Sequence, residues 1–376
     1  MGLLRFLLAV SVILAHAGKL FGFEFVGGRI AVETFFMISG FYITLILNEK
    51  YIKENKSYKL FITNRFLRLY PLYWVVLLLT LICAALIPNY TANSYMGNLG
   101  SWASYGKSLS FSSGVFLVGT NIFLFFQDLV CFLGLNLKSG LFFFTSNFYE
   151  TKPPQVYTFL LVPQAWSISL ELMFYLIAPF IVKRKYIIII ALIIASAALK
   201  TYFLGHGLAN DPWVYRFFPF ELMFFLLGAL SYYLYKRVKD IKIPRYIYPA
   251  LMVFITVFTV CFSFISVTFF TYRIYIVAVF LSMPFLFNYT KKFKLDKFIG
   301  ELSYPIYITH MLVLNTVKAM GITQNVQLIT IAATIILSII LVKLIGDPIE
   351  RLRQARVKDQ KGVDKVADAL SVKLIS

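Results

Sequence analysis

Lys183-Arg184-Lys185-Tyr186-Ile187-Ile188-Ile189-Ile190-Ala191-Leu192-Ile193-Ile194-Ala195-Ser196-Ala197-Ala198-Leu199 sets three cations against an apolar run. A helix of about 20 residues, rising 1.5 Å per residue, crosses a hydrocarbon core of about 30 Å. The run 186–204 meets that length, and the cluster before it marks a cytoplasmic flank. Working outward by the same criterion, with the N-terminus cytoplasmic, spans are predicted at about 5–23, 29–47, 66–88, 166–182, 186–204, 215–235, 246–269, 272–289, 303–320 and 325–346. Every basic cluster then falls on one side: Lys50 to Arg68, Lys183 to Lys185, Lys236 to Arg245, Lys291 to Lys297, and Arg351 to Lys358. The expected fold is all-α, a polytopic transmembrane helix bundle of about ten spans with both termini cytoplasmic.

Composition agrees. Of 376 residues 60% are hydrophobic and 14% charged, with a mean hydropathy of +0.78, whereas a soluble domain is roughly half apolar and a quarter charged. No polar stretch is long enough for a soluble domain, so residues 1–346 read as one integral-membrane domain and 347–376 as a short cytoplasmic tail. The net charge of +19 reports topology and not a nucleic-acid partner, because the cations lie in short clusters between apolar runs. Cys83, Cys131 and Cys261 lie far apart with no metal-ligand spacing, so neither a disulfide framework nor a metal is expected.

The segment 111–150 breaks the pattern. Val115 to Leu135 is apolar enough to span, yet a single crossing there would move Lys183 to Lys185 to the other side. A re-entrant or interfacial segment is therefore predicted, of the kind tolerated at membrane depth only against protein or a water-filled cavity. Pro153-Pro154 reads as an outer loop, and no internal repeat is evident. Arg5, the apolar run after it and Ala15-His16-Ala17 imitate a signal peptide with its cleavage site; the uncleaved helix is the expectation.

Several polar residues sit inside these runs. His16, eleven residues beyond Arg5, is predicted about 16 Å deep. An ionisable group at that depth marks a pathway, a relay or a reactive site, and the alternative is a neutral imidazole joining two helices. Glu33, on the next antiparallel helix, could hydrogen-bond one ring nitrogen of His16 and raise the basicity of the other, or simply reach the outer surface. Arg65 and Arg68 share a face at a helix start and suit bidentate capture of phosphate, although, taken without context, membrane anchoring is the more ordinary reading of such a pair. Trp166-Ser167-Ile168-Ser169-Leu170-Glu171, continuing to Tyr175, places Ser167, Glu171 and Tyr175 on one polar stripe. That stripe either orients an acceptor or joins helices. His310 is a second intramembrane histidine, nearer the cytoplasmic side, where packing, donor-side and catalytic roles all stay open. His206, between glycines, reads as a loop residue.

These fragments together resemble acyltransferase family 3, bacterial membrane enzymes that typically O-acetylate surface polysaccharides and related glycans. The resemblance covers residues 1 to about 346. It rests on Arg5 with ten residues before His16, Val32 to Phe41, Arg65-Phe66-Leu67-Arg68 before Tyr70-Pro71, Trp166 to Glu171 with Phe174-Tyr175, and Ser303-Tyr304-Pro305-Ile306-Tyr307 with His310. It implies that His16 is the essential histidine and that acetyl-CoA, a co-substrate not held tightly, arrives from the cytoplasm. Arg65 and Arg68 then hold its phosphates, with Arg5 and His310 on the same donor side. Trp166, Ser167, Ser169 and Tyr175 are expected at the acceptor, a glycan or lipid-linked saccharide, and the location is the bacterial inner membrane. The family often has Gly-Val-Asp where this chain has Ala31-Val32-Glu33. Some members of the family carry an esterase-like domain at the C-terminus, and none is expected after Asp347-Pro348.

The expected chemistry is general-base catalysis: His16 takes the proton of an acceptor hydroxyl as it attacks the thioester, with Glu33 or Glu171 orienting the ring. An acyl-histidine intermediate stays open. The rival class is a proton-coupled transporter or flippase, which intramembrane His and Glu also suit, but transporters commonly show internal repeats.

Overall fold

The computed structural model describes residues 1–51, 58–88, 90 and 99–357. Twelve α-helices dominate them: α1 (Gly2–Ala17), α2 (Gly27–Ile46), α3 (Tyr58–Leu86), α4 (Gly100–Tyr105), α5 (Phe111–Phe123), α6 (Trp166–Ile181), α7 (Tyr186–Gly205), α8 (Phe218–Val238), α9 (Ile247–Cys261), α10 (Phe269–Thr290), α11 (Lys294–Ala319) and α12 (Val326–Leu341). Among the described residues eight helices are long and apolar enough to cross a membrane. The shorter α1 and the more polar α11 run beside each other among them. Lipid offers no partner for backbone N–H and C=O groups, which is why each pass is helical. The outward faces of α7, α9, α10 and α12 expose Ile194, Val253, Val257, Ile274, Val277 and Ile336, as a lipid-facing surface requires.

Parallel pairs organise the interior. On α2 and α8, Gly40 and Gly228 let the backbones approach so closely that a Cβ on either would lie 1.9 Å from a carbonyl oxygen of the other helix. Beside them Phe225 is stacked between Phe36 and Phe174, with both ring separations 4.5 Å, tying α6 to the pair. On α1 and α11, Gly2 and Gly300 make a similar close contact near the basic face. That contact and the shared direction of the two helices set which residues meet at their far ends.

Several predicted boundaries shift. α1 stops at Ala17, not near residue 23, because Gly18 turns the chain at φ 97° while its N–H still bonds Leu14. His16 therefore lies in the last turn of α1. α3 begins at Tyr58, so Arg65 and Arg68 sit about two turns inside the helix and not at its start. Of the predicted basic clusters, 52–57 and the tail from 358 lie outside the described residues. Beyond α12 a π-helical turn, Val342–Gly346, leads into a helical continuation ending at Val357.

The segment 111–150 contains no helix long enough to cross: α5 has 13 residues, and its end packs against α3. Tyr70 and Tyr73 donate to the carbonyls of Phe123 and Asn121, and Trp74 donates to that of Ile122 at 2.9 Å. These side chains satisfy the C-terminal carbonyls that a helix leaves without partners. The chain returns through Gln127 and Asp128 to a short antiparallel hairpin, β1 (Leu133–Leu135) with β2 (Phe142–Phe144).

Candidate active site

Two cavities open from opposite faces of the bundle. The first, about 760 Å³ with its mouth, lies towards the basic face and is lined by Arg5, Arg65, Arg68, Glu171, Tyr42 and Tyr175, among others. Three arginines from α1 and α3 face one carboxylate from α6, leaving an excess of cation. Glu171 accepts from Ser39 at 2.5 Å and from Tyr175. Arg5 lies 6.0 Å from the Tyr42 ring centroid and Arg65 5.9 Å from that of Phe61, which hold the guanidiniums against aromatic faces. The helix beyond α12 borders this mouth. Burial alone would raise the Glu350 carboxyl, but Arg353, Gln354, Arg68 and Arg65 hold it below the usual carboxylate range. Arg356 donates to Asn64 and Thr63 at the start of α3.

The second cavity, about 1000 Å³, opens on the opposite face and contains His16. Aromatic groups line it, including Tyr149, Tyr157, Trp166 and Tyr215, together with Arg29, Arg216 and Gln164. Arg216 lies 4.4 Å from the Trp166 ring centroid and makes a two-pronged ion pair with Asp211, at 2.6 and 3.0 Å. Gln164 donates to the Ile308 carbonyl at 2.6 Å. Its Oε1 has no hydrogen-bond partner among the described residues.

His16 meets His310 edge to face, ring centroids 5.2 Å apart. His310 is fully buried and its Nδ1 lies 2.6 Å from the Tyr307 carbonyl, so that nitrogen carries the proton and Nε2 keeps its lone pair. Among the described residues Nε2 has no partner. This corrects the donor-side expectation for His310: it lies behind His16 and outside the lining of the arginine cavity.

The carboxylates are also placed differently from expectation. Glu33 does not orient His16. Its Oε1 accepts from Arg29 at 3.1 Å and Lys200 at 3.5 Å, and its Oε2 from Tyr272 at 2.7 Å. Lys200 also bonds Glu221 at 2.8 Å, so four helices share one buried charge cluster. Glu171 faces the arginines and not the histidine. The predicted stripe of Ser167, Glu171 and Tyr175 lines the arginine cavity together, whereas the other expected acceptor residues part from it: Trp166 lines the His16 cavity and Ser169 donates to Asp128 at 2.7 Å. Sequence reasoning missed Arg216 and Gln164. The charged and aromatic run Asp211 to Arg216, between two spans, was the signal for the first.

The fold is a polytopic helical bundle with two opposed cavities that share a wall, one lined by Arg5, Arg65 and Arg68 and one by His16, and its long apolar helices make it a multi-pass membrane protein. The chain belongs to acyltransferase family 3: the family's acyltransferase domain matches residues 1–345. It is therefore a membrane acyltransferase, which removes the transporter alternative. A curated relative, an uncharacterized protein of Aquifex aeolicus (strain VF5), is 25% identical over 208 residues, 51% of this chain and 89% of that protein. No solved structure matches.

Proposed function

We propose that this protein is an inner-membrane O-acetyltransferase that carries acetyl from cytoplasmic acetyl-CoA to a hydroxyl of a surface or lipid-linked glycan. One observation carries the reading: Val32 and Tyr307 line both cavities, so the arginine side and the His16 side are one residue layer apart. Arg5, Arg65 and Arg68 are suited to the phosphates of a CoA thioester. The tyrosines and Trp166 around His16 suit the apolar faces of sugar rings, while Gln164 Oε1 can accept from a hydroxyl. With the basic face cytoplasmic, as the positive-inside rule requires, donor and acceptor each arrive from their own compartment.

In the reaction, neutral His16 takes the proton of the acceptor hydroxyl as its oxygen attacks the thioester carbon. The new C–O bond forms, the C–S bond breaks, and the proton passes from His16 to the departing CoA thiolate. The test is base-labile O-acetyl content of surface glycans in a strain lacking the protein, complemented with wild type or with an equally abundant His16→Ala. Restoration by wild type alone supports the reading. Restoration by both removes His16 from the chemistry, and restoration by neither removes the glycan acceptor.

A further inference from the structure

The wall between the cavities is built with more hydrogen bonds than helix packing needs. Tyr307, in the middle of α11, exchanges a hydrogen bond with Ser167 at 2.7 Å and donates to the Gln164 carbonyl at 3.0 Å. Gln164 returns a bond to Ile308 at 2.6 Å. These contacts clamp the start of α6 onto α11 between the two voids. The Phe35 ring stands 6.0 Å from that of Tyr307, and Val32 on α2 closes the remaining side. Tyr307 and Val32 are almost fully buried although each borders two cavities, so the wall is one side chain thick and well packed.

We propose that Tyr307 and Val32 form a partition that sets the size of the acyl group presented to the acceptor hydroxyl at His16 and keeps water in the His16 cavity away from the thioester. The inference rests on the donor reading above, with the thioester on the arginine side. A thioester carbon must come alongside this wall for a hydroxyl held at His16 to reach it. An acyl chain longer than acetyl would press its extra methylenes into Val32 and the Tyr307 ring. If the wall is opened, water can replace the acceptor hydroxyl: its oxygen bonds the acyl carbon, the C–S bond breaks, and carboxylate and CoA thiol leave. A methylene excluded from or admitted to an apolar pocket changes rates by about tenfold or more, and exclusion of water suppresses this side reaction.

The test uses purified full-length protein in lipid vesicles with no acceptor, reading release of CoA thiol from acetyl-CoA and from butyryl-CoA. Val32→Ala enlarges the opening, and Tyr307→Phe keeps the ring but removes the clamp. CoA-dependent thermal stabilisation is measured alongside, with Arg68→Ala as the variant that should lose it. We expect Val32→Ala to raise butyryl-CoA cleavage about tenfold over wild type and Tyr307→Phe to raise acetyl-CoA cleavage, both abolished by adding His16→Ala. If wild type and both variants are stabilised by CoA but neither variant cleaves either thioester faster than wild type, the partition is overturned and the donor reading stands. If CoA does not stabilise the wild type and no variant cleaves, the donor reading fails and the partition falls with it.

Discussion

His16 on α1 and His310 on α11 meet edge to face at 5.2 Å because their helices run parallel from a glycine contact at the basic face. His16 opens onto a cavity while His310 is enclosed and held by the Tyr307 carbonyl. Their roles should separate. His16→Ala is expected to lower acyl transfer by about 10²- to 10⁴-fold, the usual yield of a general base, with donor binding intact. His310→Gln is expected to lower kcat with little change in donor KM, because it alters the support of His16 and lies outside the lining of the arginine cavity. Steady-state kinetics on the two purified variants check this; a rise in donor KM alone for His310→Gln would return that residue to the donor side.

How legible this site was in the sequence depended on what each residue needed. The spans, the break in the pattern at 111–150 and the arginine pair follow from hydropathy and charge counted along one chain, and those quantities are local. Glu33 and Glu171 were legible as buried acids, but their partners were not. Whether Glu33 faces His16 or Lys200 depends on the rotation of α2 about its axis, which the Gly40 and Gly228 contact fixes and hydropathy does not encode. The end of α1 was placed too late for a similar reason: the turn at Gly18 ends the helix, while the apolar character continues through Phe21 and Phe23. Arg216 lies in a loop, where no periodicity marks the side that faces a cavity.

The arginine cavity carries its own prediction. Arg68→Ala and Arg65→Ala should each weaken CoA binding by about 10- to 100-fold, corresponding to the loss of a charge-assisted hydrogen bond of about 1.5–3 kcal/mol. Lysine at either position should restore only part of the affinity, since a point charge does not reproduce the guanidinium fork. Titration calorimetry with CoA reads both effects. Equal affinity in all variants would mean that the pair only anchors the helix.

The charge cluster around Glu33 makes a stability prediction. Lys200 is almost wholly enclosed between Glu33 and Glu221, at 3.5 and 2.8 Å. Removing one member of such a pair leaves an uncompensated buried charge, at a cost of about 3–5 kcal/mol. Lys200→Met should therefore lower the melting temperature in detergent sharply, and Lys200→Met combined with Glu221→Leu should recover much of the loss. A double variant no more stable than the single one would show that Glu221 is neutralised by something other than Lys200.

The α2 and α8 crossing is predicted to tolerate no added carbon. A Cβ at Gly40 would lie 1.9 Å from the Phe225 oxygen, and one at Gly228 would lie 1.9 Å from the Met37 oxygen. Both obstacles are backbone, so no side-chain rotation relieves them and the helices must separate. Overpacking of a core typically costs about 1–3 kcal/mol, and a clash with backbone belongs at the upper end. Gly40→Ala and Gly228→Ala should each lower the melting temperature, while Gly119→Ala on α5, where nothing lies within 4 Å, should not. The same separation would turn α2 and move Val32 and Glu33 together, so transfer activity should fall in the two destabilised variants even below their melting temperatures. Full activity in folded Gly40→Ala protein would show that the crossing holds the bundle together without setting the register of the site.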